Sequence, residues 1–439
     1  MQLTRGALVI EIAFVVVFVA FTARARAQEA GGDANADAGA NGDASASADA
    51  EGDAGGEAGV AAEGPAAPVP DAPASSNLTA RAFTEVGAYA DSTATYVLTP
   101  SIGGSIENPV AGYAVNGRYL VDVVSAASPD VVSTASPNWT EVRHAGNLGF
   151  KYKPGNYGVA VNGITSYTPD YLAFAGGAQL TQDLDEKNLT LVEGYGYGHD
   201  TIGRTGTPFS VFSRDLSYHS VNLGVSRVVN RSLVIGVFAD AIFERGDQSK
   251  PYRYIPIFAS GTGGSVARGA SPNSVAASRL DARPLEQLPL ERDRFALTGR
   301  LAWRLTSTTL RVEERIYNDS WGLRASTTDA RYFVDVARRL TIWPHLRFHV
   351  QNSVSFWQRA YEARGVNDLP ALRAGDRELS NLMTLGAGGG MRVGLGKDAS
   401  PDDVALTGTL DGYYTTFIDA LYVTERFSAL TTVALEVTF

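Results

Sequence analysis

The sequence predicts an all-β protein whose body is a transmembrane antiparallel β-barrel of about 16 strands. Three features predict it: apolar and polar residues alternate with a period of two from residue 81 onward, many alternating runs reach ten to fourteen residues, and short connections alternate with long ones. A tilted strand needs roughly 9 to 11 residues to cross a bilayer, whereas strands of soluble sandwiches usually have about 5 or 6. The long runs therefore favour a membrane barrel.

Composition excludes several classes of protein. The 439 residues contain no cysteine, which excludes disulfide scaffolds, thiolate metal sites and cysteine nucleophiles. Only residues 7–21 are apolar enough for a membrane helix, and that stretch is short and contains Glu11, so a polytopic helical protein is excluded. Residues 28–76 hold ten acidic residues and no basic ones, whereas residues 77–439 hold 34 basic and 36 acidic residues. The net charge of −10 therefore belongs to the N-terminal segment, and the barrel is nearly neutral.

The N-terminal 80 residues are predicted to be an export signal followed by a linker. Residues 1–27 combine a basic start at Arg5, an apolar core and the small-x-small pattern Ala25-Arg26-Ala27, which predict a cleaved signal peptide. An uncleaved anchor helix is the alternative, because arginines lie close to the cleavage site. Residues 28–80 are rich in Ala, Gly, Asp and Glu, a composition that predicts a disordered acidic tether in the periplasm.

Sixteen strands are predicted in residues 81–439, and fourteen is the alternative count because the first two carry the weakest pattern. The predicted ranges are 88–99, 106–116, 118–125, 139–152, 157–167, 171–184, 188–200, 216–229, 232–245, 292–306, 309–322, 330–338, 345–358, 379–396, 402–417 and 427–439. An even number leaves both chain ends in the periplasm. A closed barrel also gives every strand a hydrogen-bonding neighbour on each edge.

The connections predict which end of the barrel faces outward. Short turns are predicted at 116–117, 153–156, 185–188, 230–231, 306–309 and 397–401. Long loops are predicted at 126–138, 201–215, 246–291, 359–378 and 419–426, with the brief link 168–170 as the exception. Short periplasmic turns and long outer loops are typical of outer-membrane barrels.

The last predicted strand ends in the pattern of an assembly signal. Val433, Leu435, Val437 and Phe439 share one face, and the terminal aromatic resembles the signal by which the β-barrel assembly machinery recognises outer-membrane barrels. Aromatic residues near many strand ends suit girdles at the two membrane interfaces. The sequence therefore predicts an outer-membrane protein that contacts lipid and lipopolysaccharide.

Two segments carry a family resemblance. The stretch YLVDVVSAASPDVVSTASPNWTEVRHAGNLGFKY, residues 119–152, resembles an uncharacterised family of Gram-negative outer-membrane β-barrels that is catalogued only as a domain of unknown function. A second segment that resembles this family is residues 315–325, RIYNDSWGLRA. The resemblance covers residues 90–439. It implies a barrel in the outer membrane and supplies no activity or catalytic residues.

The strongest candidate site is a run of basic residues. Between Arg292 and Arg364 there are thirteen arginines and seven acidic residues. Strand parity places six arginines toward the lumen: Arg294, Arg300, Arg304, Arg311, Arg315 and Arg347. Fixed arginines along a pore favour anions, so these residues predict an anion-preferring channel. The alternative is that they pair with Glu313, Asp335 and other carboxylates and brace the barrel wall.

Two other patterns carry weaker predictions. His345 and His349 share a strand face, but residues four apart on a strand lie roughly 13 Å apart, too far to bind one metal ion together. We therefore expect a polar lumen-lining role. The glycine-rich segments 194–198 and 386–390 lack the Lys-Ser/Thr of a phosphate-binding loop, so we expect them to serve barrel curvature and aromatic packing.

A hydrolase is the remote alternative. His219 and Ser220 are adjacent, but neighbours on a strand point to opposite faces, so they cannot be a base and its nucleophile. His199-Asp200 near an outer loop offers an equally weak protease pattern.

These features together predict a porin-like channel for small, anionic solutes rather than an enzyme. A structural or display barrel, plugged by loop 246–291 and binding partners through its outer loops, is the second hypothesis. No catalytic residue, cofactor, metal site or nucleic-acid partner is predicted, and the oligomeric state is left open.

Overall fold

The computed structural model describes residues 78–126, 139–365, 368–397 and 400–439. The predicted signal peptide, residues 28–77 of the predicted linker and residues 127–138 of the first predicted loop lie outside these ranges. The described strands are β1 (Thr79–Asp91), β2 (Thr95–Asn108), β3 (Tyr113–Ala126), β4 (Trp139–Tyr152), β5 (Tyr157–Thr168), β6 (Tyr171–Leu184), β7 (Leu189–Ile202), β8 (Arg214–Asn230), β9 (Leu233–Gly246), β10 (Ile257–Ala259), β11 (Glu291–Arg304), β12 (Thr308–Asp319), β13 (Arg324–Ala337), β14 (Leu340–Gln351), β15 (Tyr361–Ala363), β16 (Leu382–Gly394), β17 (Val404–Phe417) and β18 (Glu425–Thr438). One α-helix, α1 (Pro272–Ser278), and three 3-10 helices (Gly263–Ser265, Arg377–Leu379 and Pro401–Asp403) complete the described elements.

Sixteen of these strands form one closed antiparallel barrel, which confirms the predicted fold and strand count. Each strand pairs with its neighbour along the chain, and β1 closes the ring by pairing with β18, for example at Val86 and Val433. Strands β10 and β15 lie outside the ring and pair with each other in parallel. Closure leaves the ring without a free strand edge, as a bilayer requires.

The two faces of the barrel differ as the alternation predicts. Large apolar side chains on one face are exposed, including Ile102, Leu148, Leu346 and Leu410. Side chains on the other face reach each other across an intervening strand: Arg118 of β3 bonds Glu85 of β1 past β2. Such contacts are possible only on the concave side. The polar face is therefore the inner face and the apolar face is the outer face.

The first predicted turn is wrong. Asn116 and Gly117 lie inside β3, and the chain instead turns at residues 92–94 and 109–112, each within a segment predicted to be a strand. At the first turn the Asp91 Oδ1 accepts hydrogen bonds from the backbone N–H groups of Thr93 and Thr95. At the second turn Asn108 Oδ1 accepts from the Ala111 N–H, and Gly112 adopts a positive φ of 77°. Asp and Asn side chains that bond the following backbone therefore form both turns without an Asn-Gly pair.

Strand ends near the long loops also differ from prediction. β14 ends at Gln351, seven residues before the predicted end of its strand at 358, and Val354 is buried in a loop cluster instead. β13 begins at Arg324, six residues before the predicted start at 330. The apolar alternation continues into the loops because they have a core of their own. The predicted brief link at 168–170 is confirmed, since β5 ends at Thr168 and β6 begins at Tyr171.

The long loops fold together into a cap at one end of the barrel, the loop end. We define the cap as residues 247–290, 352–365, 368–381 and 418–424. Ile255, Ile257 and Tyr361 form one of its buried clusters, to which β10 and β15 contribute. A second cluster joins Leu288 to Trp321 in the β12–β13 connection. The opposite end, the turn end, carries the short turns and the C-terminal residue.

The cap extends across the mouth of the barrel. On one side the Tyr252 hydroxyl donates to Asp170 in the β5–β6 turn, at 3.3 Å. Elsewhere the Ala270 N–H donates to the Leu421 carbonyl in the β17–β18 loop, at 2.7 Å. These two hairpins are separated around the ring by four strands in one direction and eight in the other. Loop 247–290 therefore bridges distant walls and covers the loop end.

Candidate functional site: the inner face of the barrel

The six arginines predicted to face the lumen share the face that carries the cross-strand ion pairs. Arg294, Arg300 and Arg304 alternate with outer-face residues along β11, and their partners on β12 are Asp319, Glu313 and Thr309. Arg311 and Arg315 lie on the same face of β12. Arg347 lies opposite Asp329 of β13. The period-two pattern therefore placed these side chains on one continuous surface.

Five of the six arginines lie close to a carboxylate on the inner face. The N···O distances are 2.9 Å for Arg294 to Glu244, 2.6 Å for Arg300 to Glu313, 2.7 Å for Arg304 to Asp335, 3.9 Å for Arg315 to Asp240 and 3.7 Å for Arg347 to Asp329. The first three are short, charge-assisted contacts. The bracing role that the sequence left open therefore applies to part of this set.

Arg311 is different. Its guanidinium lies 4.9 Å from the centroid of the Phe333 ring, and within the described part of the chain it makes no ion pair or hydrogen bond. Phe333 in turn packs against Trp343, with 5.2 Å between ring centroids. A cation–π contact holds a guanidinium in place without neutralising its charge.

Sequence reasoning missed Arg331. Arg331 of β13 lies directly opposite Arg311 of β12, so the side chains of both residues are on the inner face. Arg331 shares parity with Asp335, which the sequence offered as a carboxylate partner of the lumen-facing arginines, so extending that parity to Arg331 would have found it. Its Nε lies 3.5 Å from Asp329 Oδ1.

Asp329 belongs to a polar network across four strands. His345 Nε2 lies 2.7 Å from Asp329 Oδ2, and His345 Nδ1 lies 2.7 Å from Asp411 Oδ1 on β17. The intervening residue on β16 is Gly388, whose hypothetical Cβ would lie 2.2 Å from Asp411 Oδ1. The glycine-rich segment 386–390 therefore serves side-chain packing across β16, because a larger residue would block this contact.

The two ends of the inner face differ in exposure. At the loop end Phe417 is fully buried, and the guanidinium groups of Arg377 and Arg426 lie over its ring. Nearer the turn end, the side chains of Arg300, Arg304 and Arg331 are 44%, 49% and 48% exposed. At the loop end, directly under the cap, the inner face is therefore closed. Nearer the turn end it is open to solvent.

Charge is unevenly distributed around the inner face. Strands β11 to β14 place eight arginines and four acidic residues there. The opposite wall, β1 to β7, places four basic and seven acidic residues on the same face. The described lumen therefore has a basic wall and an acidic wall.

The structure places the two members of each remaining histidine pattern on opposite faces of the barrel wall. His219 lies on the outer face, where its Nδ1 is 2.7 Å from the Tyr195 hydroxyl, and its neighbour Ser220 lies on the inner face. His199 and Asp200 are divided between the faces in the same way. Among the described residues, no group of three or more His, Asp or Glu side chains could hold a metal ion.

The C-terminal residues of the proposed assembly signal lie where β18 pairs with β1 and closes the barrel. Val433, Leu435 and Val437 point to the outer face of β18. Phe439 exchanges two backbone hydrogen bonds with Ala80, at 2.8 and 3.2 Å, and its side chain is exposed. Within the described ranges, no helix is long and apolar enough to span a membrane.

A closed antiparallel barrel with an apolar outer face and a charged inner face defines the class of transmembrane β-barrel proteins. The chain belongs to the family described as protein of unknown function (DUF3570), whose sequence model matches residues 74–400. A search of curated proteins finds no match.

Similar solved structures include CdiB and two proteins described as outer membrane proteins. CdiB from Acinetobacter baumannii has 10% sequence identity and a TM-score of 0.41, and the alignment covers 83% of this chain and 60% of that one. OpdK from Pseudomonas aeruginosa has 7% identity and a TM-score of 0.39, with 82% and 99% covered. OprD from Pseudomonas aeruginosa has 6% identity and a TM-score of 0.39, with 83% and 94% covered.

Proposed function

We propose that this protein is a porin-like channel of the outer membrane for small solutes, with its turn end in the periplasm and its cap outside. The observation that carries the proposal is the solvent exposure of Arg300, Arg304 and Arg331 on the inner face. A lumen packed with protein would bury these charged groups at high cost. A sixteen-stranded barrel is wide enough for an aqueous channel.

We further propose that the channel prefers anions. The basic wall of β11 to β14 carries twice as many arginines as acidic residues on its inner face. Because fixed positive charge in a narrow aqueous path attracts anions, the excess favours their passage. The acidic wall opposite reduces this preference, so we expect a moderate selectivity.

Planar-bilayer recording of the refolded, full-length protein tests the proposal. We expect stable conductance steps in KCl and, under a salt gradient, a reversal potential displaced toward that of chloride. The cysteine-free chain allows a sharper test. With Arg331→Cys, a charged thiol reagent added from the turn side should change the conductance, whereas the outer-face control Leu346→Cys should not respond.

The second candidate is a sealed barrel that displays its cap to partners. The observation that favours it is the cap itself, which has buried clusters and bridges distant walls. A silent bilayer containing correctly folded protein would support this alternative and contradict the channel. A thiol at position 331 that still reacts from the turn side would then place the seal in the cap.

A further inference from the structure

We propose that Arg311, Arg331 and Arg347 form a binding site for a small multivalent oxyanion in the lumen. The inference rests on the proposed channel, because the ligand must reach the inner face through water. It goes beyond general anion preference by assigning three residues and a chemical class of ligand.

The first observation is a like-charged pair at directly opposed positions. Arg311 of β12 and Arg331 of β13 are Cα partners, and both side chains point into the lumen. Directly opposed side chains on neighbouring strands lie roughly 5 Å apart at Cβ, where two like charges destabilise the sheet. On the neighbouring strand β11 two arginines show the opposite arrangement, because Arg294 directly faces Asp319 and Arg300 directly faces Glu313.

The second observation is that the nearby carboxylate already has a closer partner. Asp329 accepts from His345 at 2.7 Å, whereas Arg331 and Arg347 approach it only to 3.5 and 3.7 Å. Asp329 therefore leaves the guanidinium groups of Arg331 and Arg347 without a short, directed hydrogen bond.

The charge balance of this cluster is positive. His345 bridges two carboxylates, Asp329 and Asp411. Three arginines face these two carboxylates, so the arginines exceed the carboxylates by one positive charge on the inner face.

The third observation is that Arg311 is held in place without a counter-charge. Its cation–π contact with Phe333 holds the guanidinium, and Phe333 in turn packs against Trp343. Within the described part of the chain the N–H groups of Arg311 donate no hydrogen bond, so they are available for a ligand. Because the N–H groups form a planar fork, they match two oxygens of one phosphate or carboxylate.

These features select a ligand with at least two negative charges and several acceptor oxygens. Inorganic phosphate and short dicarboxylates share this chemistry, whereas chloride has no paired oxygens for the guanidinium fork. Phosphate and succinate are therefore the probes, and chloride is the reference ion.

The experiment combines binding and conduction on the refolded, full-length protein. Isothermal titration calorimetry in detergent measures the Kd of phosphate and of succinate, and planar bilayers measure block of the chloride current by the same anions. We expect Arg311→Gln and Arg331→Gln each to raise the Kd and the half-blocking concentration about tenfold or more. Arg311→Lys, which keeps the charge but loses the fork, should give a smaller increase.

Arg143→Gln is the matched control. It removes one positive charge from the inner face of β4, on the opposite wall, from a residue paired with Asp122, so we expect less than a roughly twofold change if directed contacts decide the binding. The proposal is overturned if neither anion binds, or if Arg143→Gln weakens binding as much as Arg311→Gln. Binding without any conductance would contradict the channel and leave the site standing, so the two failures are distinguishable.

Discussion

The imidazole of His345 reaches the carboxylate of Asp411 across an intervening strand, with 2.7 Å between Nδ1 and Oδ1. The contact exists because Gly388 of β16 has no side chain on the inner face. Many inner-face pairs in this barrel are of this kind, and they tie together strands that share no backbone hydrogen bonds.

Replacing Gly388 with alanine should destabilise the barrel. The added Cβ would lie 2.2 Å from Asp411 Oδ1 and 2.3 Å from the Leu410 carbonyl oxygen, so the network must shift. We expect a loss of about 1 to 3 kcal/mol in the free energy of unfolding, measured by denaturant titration in lipid vesicles. Gly299→Ala is the control, because nothing lies within 4 Å of its Cβ. Equal losses in both variants would contradict the packing argument.

The ion pairs of the basic wall should differ in their contribution to stability. Arg294 and Glu244 are both largely buried, so Arg294→Gln leaves a buried carboxylate without its nearest partner and should cost about 3 kcal/mol of unfolding free energy. Arg304 and Asp335 are solvent-exposed, and Arg304→Gln should cost about 1 kcal/mol or less. Urea titration at two salt concentrations checks both values. A larger loss for Arg304→Gln would show that the turn half of the lumen is not open to water.

The cap should loosen in alkali. Burial raises the pKa of Tyr361 to about 12, and its hydroxyl donates to the Phe356 carbonyl and accepts from the Ala374 N–H. The folded cap favours the neutral phenol, so this stabilisation is complete below the unfolded pKa near 10 and is lost as pH rises through 12. The loss should reach about 2 to 3 kcal/mol.

Acrylamide quenching of tryptophan fluorescence between pH 9 and 12.5 measures this loosening, since Trp321 and Trp357 pack in the cap cluster. Tyr361→Phe removes the ionisation and should abolish the alkaline step, although the variant begins from a less stable cap. An unchanged step would assign the transition to another group.

Removing the acidic side chain of Glu314 from the outer face should stabilise the protein in lipid. Glu314 lies midway along β12 on the outer face, and its carboxylate accepts from Ser326 at 2.6 Å and from Thr328 at 2.5 Å. A carboxylate facing hydrocarbon is unfavourable, and the two hydroxyls offset only part of that cost. We expect Glu314→Leu to raise the unfolding free energy by about 1 kcal/mol in vesicles. A decrease would indicate that the carboxylate has a partner in the membrane.

The sequence by itself determined the barrel, because a strand between lipid and water must alternate with a period of two, and that period is visible without neighbours. The same alternation assigned Arg294, Arg300, Arg304, Arg311, Arg315 and Arg347 to one face. It did not determine where β14 ends, since Val354 continues the apolar pattern into a loop that has its own core.

Only the tertiary structure decided which inner-face charges neutralise one another. Register pairs Arg300 with Glu313 but Arg311 with Arg331, and the missing side chain of Gly388 lets His345 reach Asp411 across β16. It also decided that loops distant in sequence meet over the mouth, since β10 and β15 pair across about a hundred residues. Electrostatic contacts depend on distances between side chains on different strands. The alternation in a sequence gives the face on which each side chain lies, but it does not give the residue on another strand that the side chain contacts.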